Sequence, residues 1–289
     1  MSKVWLITGS SRGLGRTLAE AVLAAGHKLA ATARTPSQLD DLVKRYGDQV
    51  LPVALDVTDE TAANDAIKAA IGAFGRLDVL VNNAGYGDIA SIEETNLADF
   101  RAQVETNLFG VINVTKAAIP FLREQKSGHI IQISSIGGRV GSPGLGAYQA
   151  AKWAVEGFSE VLSKEVAPLG IKVTIIEPGG FRTDWAGSSM TIRPNRPEYD
   201  STVGAVAKYI RDNHNGIQPG DPVKAAAAII HIATLEEPPL RLLLGSDAVH
   251  LAEQNDNARV EADKRWRDLS VSTDFETGGT RTTYPWERK

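Results

Sequence analysis

Seven short apolar runs, each set apart by a stretch with helical spacing, constrain this 289-residue chain more than any other feature. The runs fall at 3–8, 28–33, 50–54, 77–81, 128–134, 171–177 and 240–244. Helical patterns occupy 14–25, 36–46, 59–73, 99–126, 147–168 and 221–235. Strands separated by helices form βαβ units, whose strands pair in parallel. Right-handed crossovers then put helices on both faces of the sheet. The expected fold class is α/β: one domain over 1–289, a doubly wound parallel sheet of about seven strands. Its core is residues 3–245. Residues 180–220 break the pattern, and 246–289 form a helical extension.

The first run leads into Gly9-Ser10-Ser11-Arg12-Gly13-Leu14-Gly15, then into a helix with Leu14, Leu18, Val22 and Ala25 on one stripe. Strand, Gly-rich turn and helix start, in that order, make a phosphate cradle. Glycine permits the tight turn, and the helix end offers unpaired N–H groups with partial positive charge. The spacing is Gly-x3-Gly-x-Gly rather than the standard dinucleotide Gly-x-Gly-x2-Gly, so a purely structural turn is the rival reading. The second strand ends at Ala33-Arg34, with no acid. An acid there binds the ribose of NAD, whereas Arg suits the 2′-phosphate of NADP. Arg34, with Arg12, predicts a cofactor site that prefers NADP(H) over NAD(H), unless both side chains are simply solvated.

Tyr148 and Lys152 stand four residues apart in a helical stretch, with Ser135 thirteen residues upstream. Residues at that spacing share a helix face. A free phenol has a pKa of about 10 and holds its proton at neutral pH. A neighbouring cation lowers that value, and such a Tyr can exchange a proton with a carbonyl or hydroxyl. Alone, the pair reads as readily as a surface contact. Asn107 lies inside the helix expected over 99–126, where its side chain competes for backbone hydrogen bonds. The expectation is a local distortion that presents a carbonyl to water.

Thr8-Gly9-x3-Gly13-x-Gly15, Asn82-Asn83-Ala84-Gly85, Asn107, Ser135, Tyr148-x3-Lys152 and Pro178-Gly179 follow one another in this order. Together they resemble the classical short-chain dehydrogenase/reductase family over roughly residues 3–245. Ser134-Ser135-Ile136-Gly137-Gly138 and Leu244-Gly245-Ser246-Asp247-Ala248 are most similar to bacterial and fungal oxidoreductases related to 17β-hydroxysteroid and retinol dehydrogenases. The resemblance implies a Rossmann-like fold. Ser135 would hydrogen-bond the substrate oxygen, and Tyr148 would be the general acid/base. Lys152 would lower the pKa of Tyr148 and bind the nicotinamide ribose, and Asn107 would hold a water leading to Lys152. Gly9, Ser11, Arg12, Gly13, Leu14 and Gly15 would cradle the cofactor. Asp56 and Val57 would lie along its adenine, Asn83, Ala84 and Gly85 would line its cleft, and Pro178, Gly179 and Thr183 would sit near the nicotinamide. A homo-dimer or homo-tetramer is expected on the same ground.

The implied activity is NADP(H)-dependent hydride transfer to or from a carbonyl or secondary alcohol. Residues 180–220 hold Phe181, Trp185, Gly187, Met190 and Tyr199 and follow Pro178-Gly179. Long irregular segments of this kind are often binding loops, and the aromatic content points to a small, partly apolar substrate. Gly141, Pro143 and Leu145 are expected to form another wall. Two rival classes remain: an NADP(H)-binding sensor without turnover, and a nicotinamide-dependent epimerase or dehydratase.

Other readings are bland. The formal net charge of −4 gives no reason to expect a nucleic-acid or anionic-membrane partner. With no cysteine, disulfides, thiolate metal sites and Cys nucleophiles are excluded. His27, His129, His214, His231 and His250 lack metal-ligand spacing, so no metal is expected. Ser134 lacks a Gly-x-Ser-x-Gly frame and no Asp-His pair is evident, which disfavours hydrolase chemistry. No apolar run of about 18 residues occurs, and a strand begins by Lys3, so the expected location is cytoplasmic. Glu93-Glu94 and Glu236-Glu237 read as exposed surface. Trp266 and Trp286 are expected to pin the tail to the body.

Overall fold

The computed structural model describes residues 2–186, 190–213 and 216–275; Gly187, His214 and Trp286 lie outside them. The strands are β1 (Val4–Ile7), β2 (Lys28–Ala33), β3 (Val50–Ala54), β4 (Val79–Asn82), β5 (Gly87–Ile89), β6 (Gly128–Ile133), β7 (Ile171–Pro178), β8 (Met190–Ile192) and β9 (Arg241–Leu244). The helices are α1 (Gly13–Ala24), α2 (Asp40–Tyr46), α3 (Glu60–Phe74), α4 (Leu97–Val104), α5 (Gly110–Gln125), α6 (Gly146–Val166), α7 (Ala205–Asn213), α8 (Pro222–Ile232) and α9 (Ser246–Val271). Seven strands form one parallel sheet in the order β3-β2-β1-β4-β6-β7-β9. All seven expected strands are present, in a Rossmann-like single domain. The order reverses between β1 and β4, and open α/β sheets bind ligands beyond the strand ends at such a switch point.

Alternating side chains point to opposite faces of a strand, and that division builds two cores. Trp5 and Ile7 join Leu18 and Val22 of α1, Leu42 of α2 and Ile229 of α8 on one face. Leu6 joins Ile67 of α3, Val114 and Leu122 of α5 and Leu162 of α6 on the other. The local ends are set by short-range chemistry. Asp59 accepts from the backbone N–H groups of Thr61 and Ala62 to start α3, and Gly75, at φ +80°, ends it.

Four expectations are corrected. The helix expected over 99–126 is α4, a π turn at Glu105–Phe109 and α5, because the Asn107 side chain bonds backbone groups at that turn. Residues 180–220 are more regular than expected: β8 pairs in parallel with β5, and α7 follows. Glu94 is not simple surface. It accepts from the Ser91 hydroxyl at 2.6 Å and from the Arg196 backbone at 2.9 Å, while Glu93 accepts from the Tyr199 hydroxyl at 2.7 Å. Trp266 is 60% exposed and pins nothing. Helix α9 is held instead by Asn255 Nδ2 donating to the Arg139 carbonyl, an Asp256–Arg139 ion pair, and Arg259 stacked 5.4 Å from the Trp153 ring centroid.

Candidate active site

The strand ends converge on one cleft of about 1210 Å³. Its first wall is the turn after β1. Thr8 Oγ1 accepts from the backbone N–H groups of Asn83 and Ala84, at 2.8 and 2.9 Å. Asn83 Nδ2 donates back to the carbonyls of Thr8 and Gly9, at 2.9 and 3.2 Å. The turns after β1 and β4 are thus tied together across the switch point. Gly9 and Gly13 have φ of +69° and +59°, which favours glycine.

Helix α1 then begins without a side-chain cap and without an acid in its first turn. Uncapped N–H groups at a cleft-lining helix start fit a dinucleotide's diphosphate, and Gly9, Ser11, Arg12, Gly13 and Leu14 line the cleft. Gly15 does not. It is buried, and a Cβ there would overlap Asn83 Nδ2 and the Gly9 carbonyl oxygen. It packs closely beneath the turn.

The other sequence-derived positions assemble around the same space. Arg34 lines the cleft at the end of β2 beside Ala33, Thr35 and Gln38. Asp56 and Val57 line it after β3, where Asp56 Oδ1 accepts from both the backbone N–H and the hydroxyl of Thr58. Asn83, Ala84 and Gly85 line it after β4, and Pro178, Gly179 and Thr183 after β7. Thr183 comes within van der Waals reach of the position a Cβ on Gly13 would take, at 3.8 Å, so the β7 loop closes against the Gly-rich turn.

The four candidate catalytic residues lie at the centre. Ser135 follows β6; its Oγ accepts from the Gly137 backbone N–H at 3.0 Å, and its side chain stands near enough to the Tyr148 phenol to draw that group's pKa down. Tyr148 and Lys152 project from the first turns of α6, both buried. Lys152 Nζ donates to the Ile133 carbonyl at 2.8 Å and lies 5.7 Å from the Tyr148 ring centroid. Asn107 is fully buried at the π turn. Its Nδ2 donates to the carbonyls of Tyr86 and Gln103, both at 2.9 Å, and its Oδ1 accepts from the Tyr86 backbone at 3.3 Å. The side chain thus pins the β4–β5 connection to the distorted helix, and π turns recur at functional sites.

Electrostatics here depart from expectation. Burial pushes the Tyr148 phenol up to about 12, and the neighbouring Ser135 side chain only partly opposes it. The Lys152 ammonium, which donates to Ile133 and lies over the ring, does not offset that rise. Burial draws Lys152 itself down to about 8, with Glu156 opposing. The site therefore holds a neutral phenol, a group suited to donate a proton. Behind it, Glu177 of β7 is fully buried, and its Oε1 accepts from Arg139 Nε at 2.8 Å. Burial raises its carboxyl to about 7, Arg139 opposes, and Glu156 adds to the rise.

Several lining residues escaped the sequence. Asp247, at the start of α9, accepts from the Gly180 backbone at 2.7 Å and fills the space where side chains on Gly179 or Gly245 would sit. Three glycines around one acid were the available signal. Trp185 packs 5.4 Å from Tyr148, centroid to centroid, and Gly87 leaves room for both rings. Leu145 lines the cleft as expected, but Gly141 and Pro143 do not. Met190 and Tyr199 pack into the cluster under Tyr148 rather than lining the space.

The short chain dehydrogenase family model matches residues 3–192. This chain belongs to the short-chain dehydrogenase family. A relative from Botryotinia fuckeliana, oxidoreductase BOA17, is 52% identical over 274 residues, which cover 94% of this chain and all of the relative. The crystal structure of a short-chain dehydrogenase from Streptomyces avermitilis superposes with a TM-score of 0.89 at 41% identity, covering 95% of this chain and 99% of that one. A short chain dehydrogenase from Burkholderia cenocepacia, in complex with NADP, superposes at 0.71 with 27% identity, covering 91% and 97%. The protein is accordingly a short-chain dehydrogenase/reductase enzyme, an oxidoreductase. No helix among its described residues is long and apolar enough to cross a membrane.

Proposed function

We propose that this dehydrogenase transfers a hydride between NADP(H) and the carbonyl or secondary alcohol of a small, partly apolar substrate. One observation carries the reading: Ser135 and Tyr148, side by side with Lys152 behind them, open on the same cleft as the uncapped start of α1. Arg12 and Arg34 line the nucleotide end, and no acid stands at the end of β2. This favours a 2′-phosphate over a bare ribose hydroxyl, and the Burkholderia relative's NADP supports the same preference.

When bound, the nicotinamide supplies or accepts the hydride. The chain's own part is positioning and proton transfer. Ser135 Oγ holds the substrate oxygen beside Tyr148. In reduction the neutral phenol donates its proton to that oxygen; in oxidation the deprotonated phenolate accepts the alcohol's proton. The Lys152 ammonium stabilises the phenolate left after donation. Asn107 holds the π turn beside Lys152, where a water would complete a proton path. Gly9, Ser11, Gly13 and Leu14 would hold the diphosphate, Asp56 and Val57 the adenine, and Pro178, Gly179 and Thr183 the nicotinamide. A homo-oligomer is part of the proposal, supported by the exposed Trp153 and Val161 of α6.

The test is NADPH and NADH oxidation against a panel of aldehydes and ketones, with Tyr148→Phe in parallel. Net NADPH consumption that the variant loses supports the proposal. Binding without consumption favours a sensor, and substrate conversion without net consumption favours an epimerase.

A further inference from the structure

The cleft exceeds the roughly 300–1,000 Å³ typical of a single ligand site, at about 1210 Å³. Beyond Tyr148 a run of apolar side chains lines it among polar ones. Leu145 and Trp185 flank the phenol, and Ile210 of α7 packs into the same cluster. From there the lining continues outward to Tyr209, Ile217 and Leu251, contributed by α7, the segment before α8, and α9. These three are 68%, 62% and 40% exposed. Large apolar groups left in water at the mouth of a catalytic cleft mark a surface that something covers.

Charge narrows what that is. Among the described lining residues the cations are Arg12, Arg34 and Lys152. The first two belong to the nucleotide end, and the third is buried beside Tyr148. The remote part of the cleft has the acids Asp88 and Asp247 instead, each accepting a backbone N–H, from Thr191 and Gly180. A carboxylate or phosphate on the substrate would meet no positive partner among the described lining residues there, and burying one unpaired is costly.

We infer that the substrate is a neutral carbonyl compound, or its alcohol, with an elongated apolar tail that runs past Ile210 and covers Tyr209, Ile217 and Leu251. The carbonyl rests on the oxidoreductase proposal above; the tail rests on the path and its charge.

Straight-chain methyl ketones of increasing length, each with an ω-carboxylated counterpart, test it with NADPH. In the neutral series kcat/KM should rise about two- to fourfold per methylene, the upper end being full burial at roughly 0.8 kcal/mol each. Each carboxylated compound should fall about tenfold or more below its neutral partner. Ile217→Ser combined with Leu251→Ser should compress the ratio of long-chain to short-chain kcat/KM. A flat neutral series, a preference for the carboxylates, or an uncompressed ratio in the variant would overturn the inference. Quenching of tryptophan fluorescence by the same ketones separates the two proposals. Length-dependent quenching without turnover keeps the tail and sinks the NADPH-linked carbonyl reading, whereas absence of quenching at every length sinks the tail.

Discussion

Replacing Gly15 with Ala should destabilise the protein, although the usual rule for helices says the reverse. Gly15 lies in the first turn of α1 with no positive φ. In an open helix, Gly→Ala gains roughly 0.5–1 kcal/mol, because glycine loses more backbone freedom on folding. Gly15 is not open: a Cβ would overlap Asn83 Nδ2 and the Gly9 carbonyl oxygen. The Gly9 oxygen belongs to backbone and yields little. Overpacking of this kind costs about 1–3 kcal/mol. Displacing the Asn83 amide from the Thr8 and Gly9 carbonyls costs about 1 kcal/mol more for each bond. Against the helix gain, about 2–4 kcal/mol of net loss remains. Gly72→Ala is the control, since Gly72 lies in α3 with nothing within 4 Å of its would-be Cβ. That variant should gain roughly 0.5–1 kcal/mol. Urea denaturation at constant m value reads both. If Gly15→Ala proved as stable as Gly72→Ala, the tie between the β1 and β4 turns would not be rigid, and this reasoning would be wrong.

Other outcomes follow from the site. Tyr148→Phe should cut turnover by on the order of 10²–10⁴ with NADPH binding largely intact; wild-type-like turnover would falsify its role as the acid. Arg34→Asp should weaken NADPH binding far more than NADH binding, and equal losses by titration would remove the basis for the preference. In reduction, kcat/KM should fall as pH rises through about 8, where the buried Lys152 loses its charge, while Tyr148 stays protonated to about 12. A profile without that limb would contradict the assignment. Glu177 has a folded pKa raised from 4.5 to about 7, so its contribution to stability is fully present below about pH 4.5 and disappears as pH rises through about 7. Relative to Glu177→Gln, the wild type should lose on the order of 2–3 kcal/mol across that window. A pH-independent difference in unfolding free energy between the two would refute this.

Local sequence reported what depends on local physics. Period and turn chemistry placed all seven sheet strands, since short apolar runs bounded by glycine have few alternatives. The Gly-rich turn, Ser135, Tyr148 and Lys152 were readable because their chemistry requires those residue types at those spacings. Asn107 was readable as a helix defect, and the π turn is that defect. The contact of Gly15 with Asn83, 68 positions away, was not readable, because spacing does not show what a glycine packs against. The pairing of β5 with β8 was missed because three-residue strands carry too little pattern.

The remaining division is between identity and environment. The sequence alone determined the parallel α/β sheet, the Gly-rich turn at a helix start and which side chains could exchange a proton. Only the tertiary structure decided that Tyr148 is buried with Ser135 beside it, and that Lys152 donates to Ile133. Only it brought Asp247 against Gly179 and set Ile217 and Leu251 at the cleft mouth. Burial and contact between distant segments depend on how the whole chain packs, and pKa values, ligand room and tail-binding surface depend on them in turn.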